Sequence, residues 1–347
     1  MENATTRPRL QSVDALRGLA VIGMIVVNAA DGLSAKHPVP DALLHVPWAG
    51  FRLPDLMFPA FVTIVGMSIA LAPPPTTRDI LSRAGRLFLI GLLLNNMHWL
   101  AHWDAIPRIP GVLQRIAIVY AAAAWIYPRT TPKMRAKLAG ALLVGHWLLL
   151  QIPPPDGSGH DLMQPGMDIS SWLDRTLLAP YIYVKGPHGF DPEGILGTFP
   201  ALAQALLGTL AAERLLRPGA PRALAMWSAA AVISGLLWAP VLPVVKALWT
   251  GSFVLLSTGI TLLICAWLQA NYDRLPGREL AVAFGRNAMA AYVLHNLIWP
   301  LLSWDSVTFP MRFLPPTPGA LASIAIFLAV VAWPIVAMHR RRIYLRV

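Results

Sequence analysis

Long apolar stretches alternate with short polar segments over almost the whole chain. A helix needs roughly 20 mainly apolar residues to cross a bilayer, and ten stretches approach that length. They cover residues 14–33, 54–72, 84–101, 109–127, 137–152, 193–213, 223–240, 251–270, 280–301 and 318–338. The pattern therefore predicts an all-α polytopic membrane protein with about ten transmembrane helices, which form a single domain over residues 1–347.

Composition and the placement of charge support a lipid bilayer as the main partner. Only 13% of the residues are charged, about half the usual share in soluble domains. The net charge of +11 could suit nucleic acid, but 20 of the 28 Lys and Arg fall on the side that holds the N-terminus. The positive-inside rule then places both termini in the cytoplasm and leaves no reason to expect a nucleic-acid partner. The first span lacks a clear cleavage site, so it is expected to be a retained helix.

Several polar side chains fall within or beside the predicted spans. They are Asp14, Arg17, Asn28, Asp55, Asn95, Asn96, His98, Arg115, Asn287, His295 and Asn296. An ionisable group at membrane depth costs at least about 2.5–3.5 kcal/mol unless it is paired or hydrated. So many of them predict a polar tunnel between the helices, although the three-residue spacing of Asp14 and Arg17 also suits a local ion pair.

The segment between the first two spans carries the most informative single residue, His45. An imidazole is suited to proton transfer near neutral pH, and Trp48 and Asp55 follow it closely. Asp191 and Glu193 precede the sixth span, where they could either favour the helix N-terminus or bind a substrate.

The fourth span begins with RIPGVLQR. Arg108 there suits an interfacial, snorkelling arginine, whereas Arg115 lies deeper, beside Gln114, and is expected to face the tunnel. The single Cys265 lies in an apolar span and the histidines lack metal-ligand spacing, so no metal and no disulfide are expected.

Five blocks of the sequence resemble the successive motifs of a known family. They read RLQSVDALRGLAVIGMIVVN, HVPWAGFRLPDLMFPAFVTIVG, RIPGVLQRIAIVY, DPEGILGT and NAMAAYVLHN, and they run in order from residue 9 to about residue 296. In this they are similar to the heparan-alpha-glucosaminide N-acetyltransferases, a family of transmembrane acyltransferases. The resemblance implies transfer of an acetyl group from cytosolic acetyl-CoA to a glycan amine across the membrane.

The resemblance also implies roles for individual residues. His45 matches the family's catalytic histidine, in a His-x-x-Trp-x-Gly setting with Trp48 and Gly50, and Asn28 matches the asparagine that assists at the acetyl group. The other matched polar positions are Arg17, Asp55, Arg108, Arg115, Asp191, Glu193 and His295.

The chain also departs from the animal members of that family. It lacks their large N-terminal domain, its segment from Asn28 to His45 is longer, and Val46 and Ala49 stand at positions that are more polar or bulkier there. These differences favour a compact protein of the bacterial inner membrane, whose acceptor is an amino sugar or glycan other than heparan sulfate. The oligomeric state stays open, a homodimer included.

Two other functions remain as alternatives. A related superfamily of O-acyltransferases has an arginine, ten residues and then a histidine in the first helix, but here Asn28 follows Arg17 at that spacing. This favours the N-acetyltransferase branch over O-acylation of a cell-envelope glycan. A ten-span transporter without chemistry is disfavoured, because the sequence shows none of the paired repeats common in transporters.

These expectations combine into a mechanism. Arg17, with Arg286 second, is predicted to hold the nucleotide phosphates of acetyl-CoA, and Arg115 and Gln114 are assigned to the same donor site. Asn28 would donate a hydrogen bond to the developing oxyanion, and His45 would take the proton of the attacking amine. The residues assigned to the acceptor are Trp48, Asp55, Arg108, Asp191, Glu193 and His295. Direct transfer is preferred over an acetyl-histidine intermediate.

Overall fold

Thirteen α-helices make up most of the computed structural model, which describes residues 10–97, 106–299 and 305–345. Their bounds are α1 Gln11–Ser34, α2 Met57–Leu71, α3 Thr77–Asn95, α4 Val112–Ile126, α5 Pro132–Leu149, α6 Ile169–Leu177, α7 Thr198–Leu215, α8 Ala220–Trp238, α9 Gly251–Asn271, α10 Arg278–Arg286, α11 Ala288–Leu297, α12 Asp305–Thr308 and α13 Pro316–Arg340. His98 and the predicted span ends 98–101 and 300–301 lie outside the described residues. Within the described residues the only β pairings are two isolated bridges, so the predicted all-α class is confirmed.

Helices occur at all ten positions where the hydropathy pattern predicts a span. Five helical segments of the described part are long and apolar enough to cross a membrane. They are Gln11–Ser34, Leu53–Leu71, Ala220–Trp238, Gly251–Arg274 and Pro316–Arg340. A multi-pass integral membrane protein follows, while the count of ten spans stays a prediction.

Local signals shift some predicted boundaries. α3 begins at Thr77, seven residues before the predicted span at 84, because Thr76 and Asp79 cap its first turn reciprocally. The predicted span at 280–301 is divided into α10 and α11 at Asn287. The Asn287 amide is fully buried, and neither its nitrogen nor its oxygen has a hydrogen-bond partner among the described residues.

Close helix packing fixes the register of α1 against α10. A Cβ atom on Gly18 would lie 1.7 Å from the carbonyl oxygen of Ala281, and one on Gly285 would lie 1.7 Å from that of Asp14. Only glycine permits this approach, which is the small-residue packing typical of membrane helices. The other extensive helix contacts join α8 with α9, α2 with α7, α3 with α4 and α5 with α7.

The bundle has two chemically different ends. At one end, called the His45 end, α1 terminates and α2, α4, α7 and α9 begin. At the other, called the Arg17 end, Ser12 near the start of α1 bonds to Gln269 near the end of α9. The Arg17 end also holds the ion pair of Arg135 and Glu213. The candidate chemistry collects at the His45 end.

Candidate active site

His45 and Asp55 form a close pair at the His45 end. The Nδ1 atom of His45 lies 2.8 Å from Oδ1 of Asp55. Asp55 occupies a short 3-10 turn, Leu53–Leu56, that leads into α2, and its Oδ2 accepts the backbone N–H of Arg52 at 3.0 Å. The Asp55 side chain is fully buried, whereas 34% of the His45 side chain is exposed. A fixed buried carboxylate thus orients an imidazole that a substrate can reach.

Lys246 completes this pair and was missed by the sequence analysis. Its Nζ atom lies 3.0 Å from Nδ1 and 3.3 Å from Nε2 of His45, and 3.5 Å from Oδ1 of Asp55. Burial lowers the pKa of Lys246, against the opposing influence of Asp55, Glu193 and Asp31. The sequence holds one signal for this residue, because Lys246 is the single lysine of the short segment between two apolar spans. In the sequence analysis it contributes only to the charge asymmetry.

The segment Val245–Thr250 holds Lys246 in place through a strained turn. Gly50 donates its backbone N–H to the carbonyl of Val244 at 2.8 Å. Trp249 is fully buried and adopts φ 54°, a left-handed conformation that is rare for a bulky residue. Its indole N–H donates to Oε1 of Gln204 at 3.0 Å. Buried contacts of this kind are what maintain such strain.

Trp48 anchors the same region to the long segment between α5 and α7. Its indole N–H donates to the carbonyl of Leu162 at 3.0 Å, and its ring meets that of Phe190 edge-on at 5.0 Å. The indole is buried. Trp48 therefore joins the segment that carries His45 to the segment 153–192.

A second ionic cluster joins Arg108, Asp191 and Glu193. Arg108 binds Asp191 through two N–H groups at 3.1 Å and 2.7 Å, and also contacts Glu193. Both carboxylates raise the pKa of Arg108 above its usual range. The guanidinium also covers one face of the exposed Tyr183 ring at 4.6 Å. The structure thus brings together three of the residues that the sequence analysis assigned to the acceptor.

Arg115 lies deeper, beneath this cluster. It donates to the carbonyl of Gly194 at 3.0 Å and lies 4.9 Å from the Trp249 ring. Its Nε and Nη1 atoms are buried and have no hydrogen-bond partner among the described residues. Nearby, burial raises the pKa of Asp174 to about 7. Gln114 is separate from these groups, since its amide N–H donates to the carbonyl of Ile109 at 3.0 Å.

Asn28 and His295 form a third group. The Nδ2 atom of Asn28 lies 3.0 Å from Nε2 of His295. The other ring nitrogen, Nδ1, lies 3.3 Å from the carbonyl of Ala291, one helical turn earlier in α11. If Nδ1 carries the proton, Nε2 accepts a hydrogen bond from the Asn28 amide.

One face of α1 connects the two ends of the bundle. Arg17, Val21, Met24 and Asn28 recur at helical spacing on that face. Between Arg17 and Asn28 lies a small cavity of about 20 Å³, which has room for about one water molecule. Its lining is apolar apart from Tyr292 and comes from α1, α2, α4 and α11. The predicted polar tunnel therefore stays a prediction, since the cavity that is present has mostly apolar walls.

Arg17 and Arg286 lie far from the other predicted donor residues. Arg17 contacts Asp14 at 3.1 Å, the carbonyl of Gly285 at 3.2 Å and Oγ of Ser68 at 2.6 Å. Arg286 stacks on Tyr344 at 4.0 Å. Both arginines belong to the Arg17 end, whereas Arg115 and Gln114 stand at the start of α4, so the four residues do not form one site.

Comparison with known proteins identifies the family. The model of the heparan-alpha-glucosaminide N-acetyltransferase catalytic region matches residues 9–239, more than half of the chain. The chain belongs to this family. It is 29% identical to human heparan-alpha-glucosaminide N-acetyltransferase and 26% identical to the mouse protein. The aligned part covers 84% of this chain in each case, but only 53% of the human and 54% of the mouse protein. The chain thus spans about half the length of the curated relatives it matches.

The match confirms the resemblance inferred from the five sequence blocks and supports an acyltransferase. His45, Asp55 and the Arg108 cluster lie within the matched residues, whereas Lys246 and His295 lie beyond them. In the described part of the chain, no group of three or more His, Cys, Asp or Glu side chains is placed to hold a metal ion.

Proposed function

We propose that the protein is a transmembrane acetyltransferase that moves an acetyl group from cytosolic acetyl-CoA to the amine of an amino sugar on the opposite face. The observation that carries this proposal is the contact between His45 and the buried carboxylate of Asp55. His45 begins the His-x-x-Trp-x-Gly segment, and both residues lie in the part of the chain that matches an N-acetyltransferase family.

The His45 and Asp55 pair provides the general base. When Nδ1–H donates to Asp55, the lone pair of Nε2 is free to accept a proton. The acceptor nitrogen attacks the thioester carbon, His45 takes the ammonium proton, and the C–S bond breaks to release the CoA thiolate, which is then protonated. A positioned base of this kind contributes about 10²–10⁴ in rate. One base is sufficient for direct transfer, without an acetyl-histidine intermediate.

Asn28 supplies the hydrogen bond to the reacting carbonyl. One N–H of its amide is directed to Nε2 of His295, which fixes the amide plane. The second N–H is then available to the thioester oxygen as negative charge develops there. In this proposal His295 is a positioning residue that acts through Asn28.

The donor path follows the face of α1 that carries Arg17 and Asn28. These residues are about 16 Å apart along the helix axis, from eleven residues at 1.5 Å each. The small apolar cavity between them lies on the route that we propose for a flexible, uncharged arm, and the helices around it have to separate to admit that arm. The buried amide of Asn287 lies next in sequence to Ala288 and Met289 of the cavity wall, and its unsatisfied groups suit a polar part of such an arm.

The nucleotide phosphates are placed at the Arg17 end, near Arg17 and Arg286. The guanidinium of Arg17 is engaged with Asp14, Ser68 and the carbonyl of Gly285, whereas the buried Nε of Arg286 has no hydrogen-bond partner in the described residues. Arg286 is therefore the better available phosphate ligand, and Arg17 also holds α1 to α2 and α10. Arg115 and Gln114 would act on the donor only from the far side of the cavity.

The acceptor is placed at the His45 end, between His45 and the Arg108 cluster. Carboxylates of Asp191 and Glu193 suit an amino sugar, whose hydroxyl groups and uncharged amine offer hydrogen-bond donors. Arg108 donates to both carboxylates and fixes their positions. The exposed ring of Tyr183 borders the same region, and the buried Trp48 supports the segment that carries His45.

An acceptor assay with labelled acetyl-CoA tests the proposal. Purified full-length protein is incubated with labelled acetyl-CoA and either glucosamine or glucose, and the product is then treated with hydroxylamine. We expect a hydroxylamine-stable amide with glucosamine only. A labile ester with both sugars would favour the O-acyltransferase alternative, and no transferred label with a wider set of envelope glycans would favour a transporter.

Sidedness needs a separate experiment. We propose a single domain in the bacterial inner membrane, with both termini in the cytoplasm and the His45 end outside. In a Cys265→Ser background, His45→Cys and His160→Cys should each react with an impermeant thiol reagent added from outside intact cells. Reaction only after the inner face is opened would reverse this orientation.

A further inference from the structure

Lys246 lies against the imidazole of His45 in an unusual position. Its Nζ is almost equally far from the two ring nitrogens, at 3.0 Å and 3.3 Å. The lone-pair directions of the two nitrogens diverge, so one atom cannot lie on both axes. The ammonium therefore lies against the ring, and the lone pair of Nε2 is not directed at the lysine.

The Asp55 carboxylate is the negative charge next to both His45 and Lys246. It is fully buried, and it lies 2.8 Å from His45 Nδ1 and 3.5 Å from Lys246 Nζ. A buried carboxylate needs a positive partner, which either a lysine ammonium or an imidazolium can provide. The further acidic groups that face Lys246 electrostatically are Glu193, before α7, and Asp31, at the end of α1.

We infer that Lys246 is a positioning residue of the transfer site, whose ammonium neutralises Asp55 so that His45 can stay an uncharged base. The role in acetyl transfer rests on the function proposed above, whereas the charge relation itself does not. Without the lysine ammonium, the positive charge that balances Asp55 would have to come from a protonated His45. A proton on the imidazole would then balance the buried carboxylate.

The turn around Lys246 supports a fixed role for this side chain. The backbone N–H of Trp249 donates to the carbonyl of Lys246 at 3.0 Å, and that of Thr250 donates to Val245 at 3.2 Å. The left-handed conformation of Trp249 closes this turn. A non-glycine residue keeps such a conformation only when its surroundings enforce it, as the contact with Gln204 does here.

The test measures the protonation of His45 without any acetyl transfer. Diethyl pyrocarbonate reacts with an imidazole only in its uncharged form, and peptide mass spectrometry reports the modified fraction of His45 itself between pH 5 and pH 9. The full-length protein in detergent is compared with Lys246→Met, Lys246→Arg and the control Lys185→Met. Lys185 is an exposed lysine of the segment between α6 and α7.

We expect the midpoint of His45 modification in Lys246→Met to move upward by about one to three pH units. Lys246→Arg keeps the positive charge, so its midpoint of His45 modification should equal that of the wild type. The midpoint of Lys185→Met should also be unchanged. Transfer activity of Lys246→Met should fall about 10- to 1,000-fold at neutral pH and recover toward pH 9. If methionine prevents folding, Lys246→Gln provides a second uncharged variant.

The results separate the inference from the proposed function. An unmoved midpoint in the uncharged variants, or an equal shift in Lys246→Arg, overturns the role of the lysine charge even if His45→Ala is inactive. Normal transfer by His45→Ala overturns the proposed function, whatever the modification midpoints show.

Discussion

Replacing Asp55 with asparagine should disable His45 while leaving its position almost unchanged. Oδ2 of Asp55 accepts the backbone N–H groups of Arg52 at 3.0 Å and Val46 at 3.4 Å. These two donors require the amide oxygen of an asparagine at that position. Its NH₂ group then takes the place of Oδ1, 2.8 Å from Nδ1 of His45.

The consequence is a reversed tautomer. An NH₂ group can only donate, so Nδ1 must accept and the ring proton moves to Nε2. Nε2 then has no lone pair for the acceptor proton. The same exchange in the Ser-His-Asp triad costs about 10⁴ in turnover, and general-base catalysis alone is worth about 10²–10⁴. We therefore expect Asp55→Asn to lose about 10²–10⁴ in kcat.

Two measurements separate this effect from misfolding. Transfer of labelled acetyl groups gives kcat, and binding of labelled acetyl-CoA to purified protein gives the donor affinity, which should not change. Asp161→Asn makes the same substitution at an exposed carboxylate of the segment 153–192 and should keep full activity. Turnover of Asp55→Asn within about tenfold of the wild type would refute the tautomer argument.

Three further predictions follow from other parts of the structure. Asn28→Ala should lower kcat by about 10²–10³ with little change in acetyl-CoA affinity, because it removes a donor to the oxyanion; a weaker affinity at unchanged kcat would contradict this. Arg286→Gln should weaken acetyl-CoA binding, whereas Arg17→Gln should mainly lower the Tm through its lost helix contacts; the reverse pattern would make Arg17 the phosphate ligand. Burial raises the pKa of Asp174 to about 7 in the folded state. As pH rises, the unfolded chain therefore loses this proton at a lower pH than the folded chain does. Stability should fall by the order of 4 kcal/mol as pH rises from about 4 to about 7, and a Tm profile of Asp174→Asn as steep as that of the wild type would show another cause.

Much of the fold follows from hydropathy, because a bilayer demands long apolar helices. The break at Asn287 could not be predicted in this way, since the apolar stretches before Arg286 and after Asn287 together look like one span. The start of α3 depends on the cap at Thr76, a local polar signal outside the apolar window.

Within the site, the sequence was most informative about residues that lie close together along the chain. His45 and Asp55 are ten residues apart, and their pairing follows from one turn before α2. Lys246 is 201 residues from His45, and only the packing of the Val245–Thr250 turn against Gly50 brings them together. The pairing of Asn28 with His295 likewise depends on how α11 lies beside α1.

The central claim is that His45 is the base that accepts the acceptor's proton. The most direct test compares labelled acetyl transfer by His45→Ala with that by the wild type and by His160→Ala, which removes an exposed histidine of the segment between α5 and α6. Folding is monitored by Tm and donor binding. We predict that His45→Ala folds, binds acetyl-CoA and loses at least about 100-fold in transfer, while His160→Ala keeps full activity. Transfer by folded His45→Ala within about threefold of the wild type would contradict the claim.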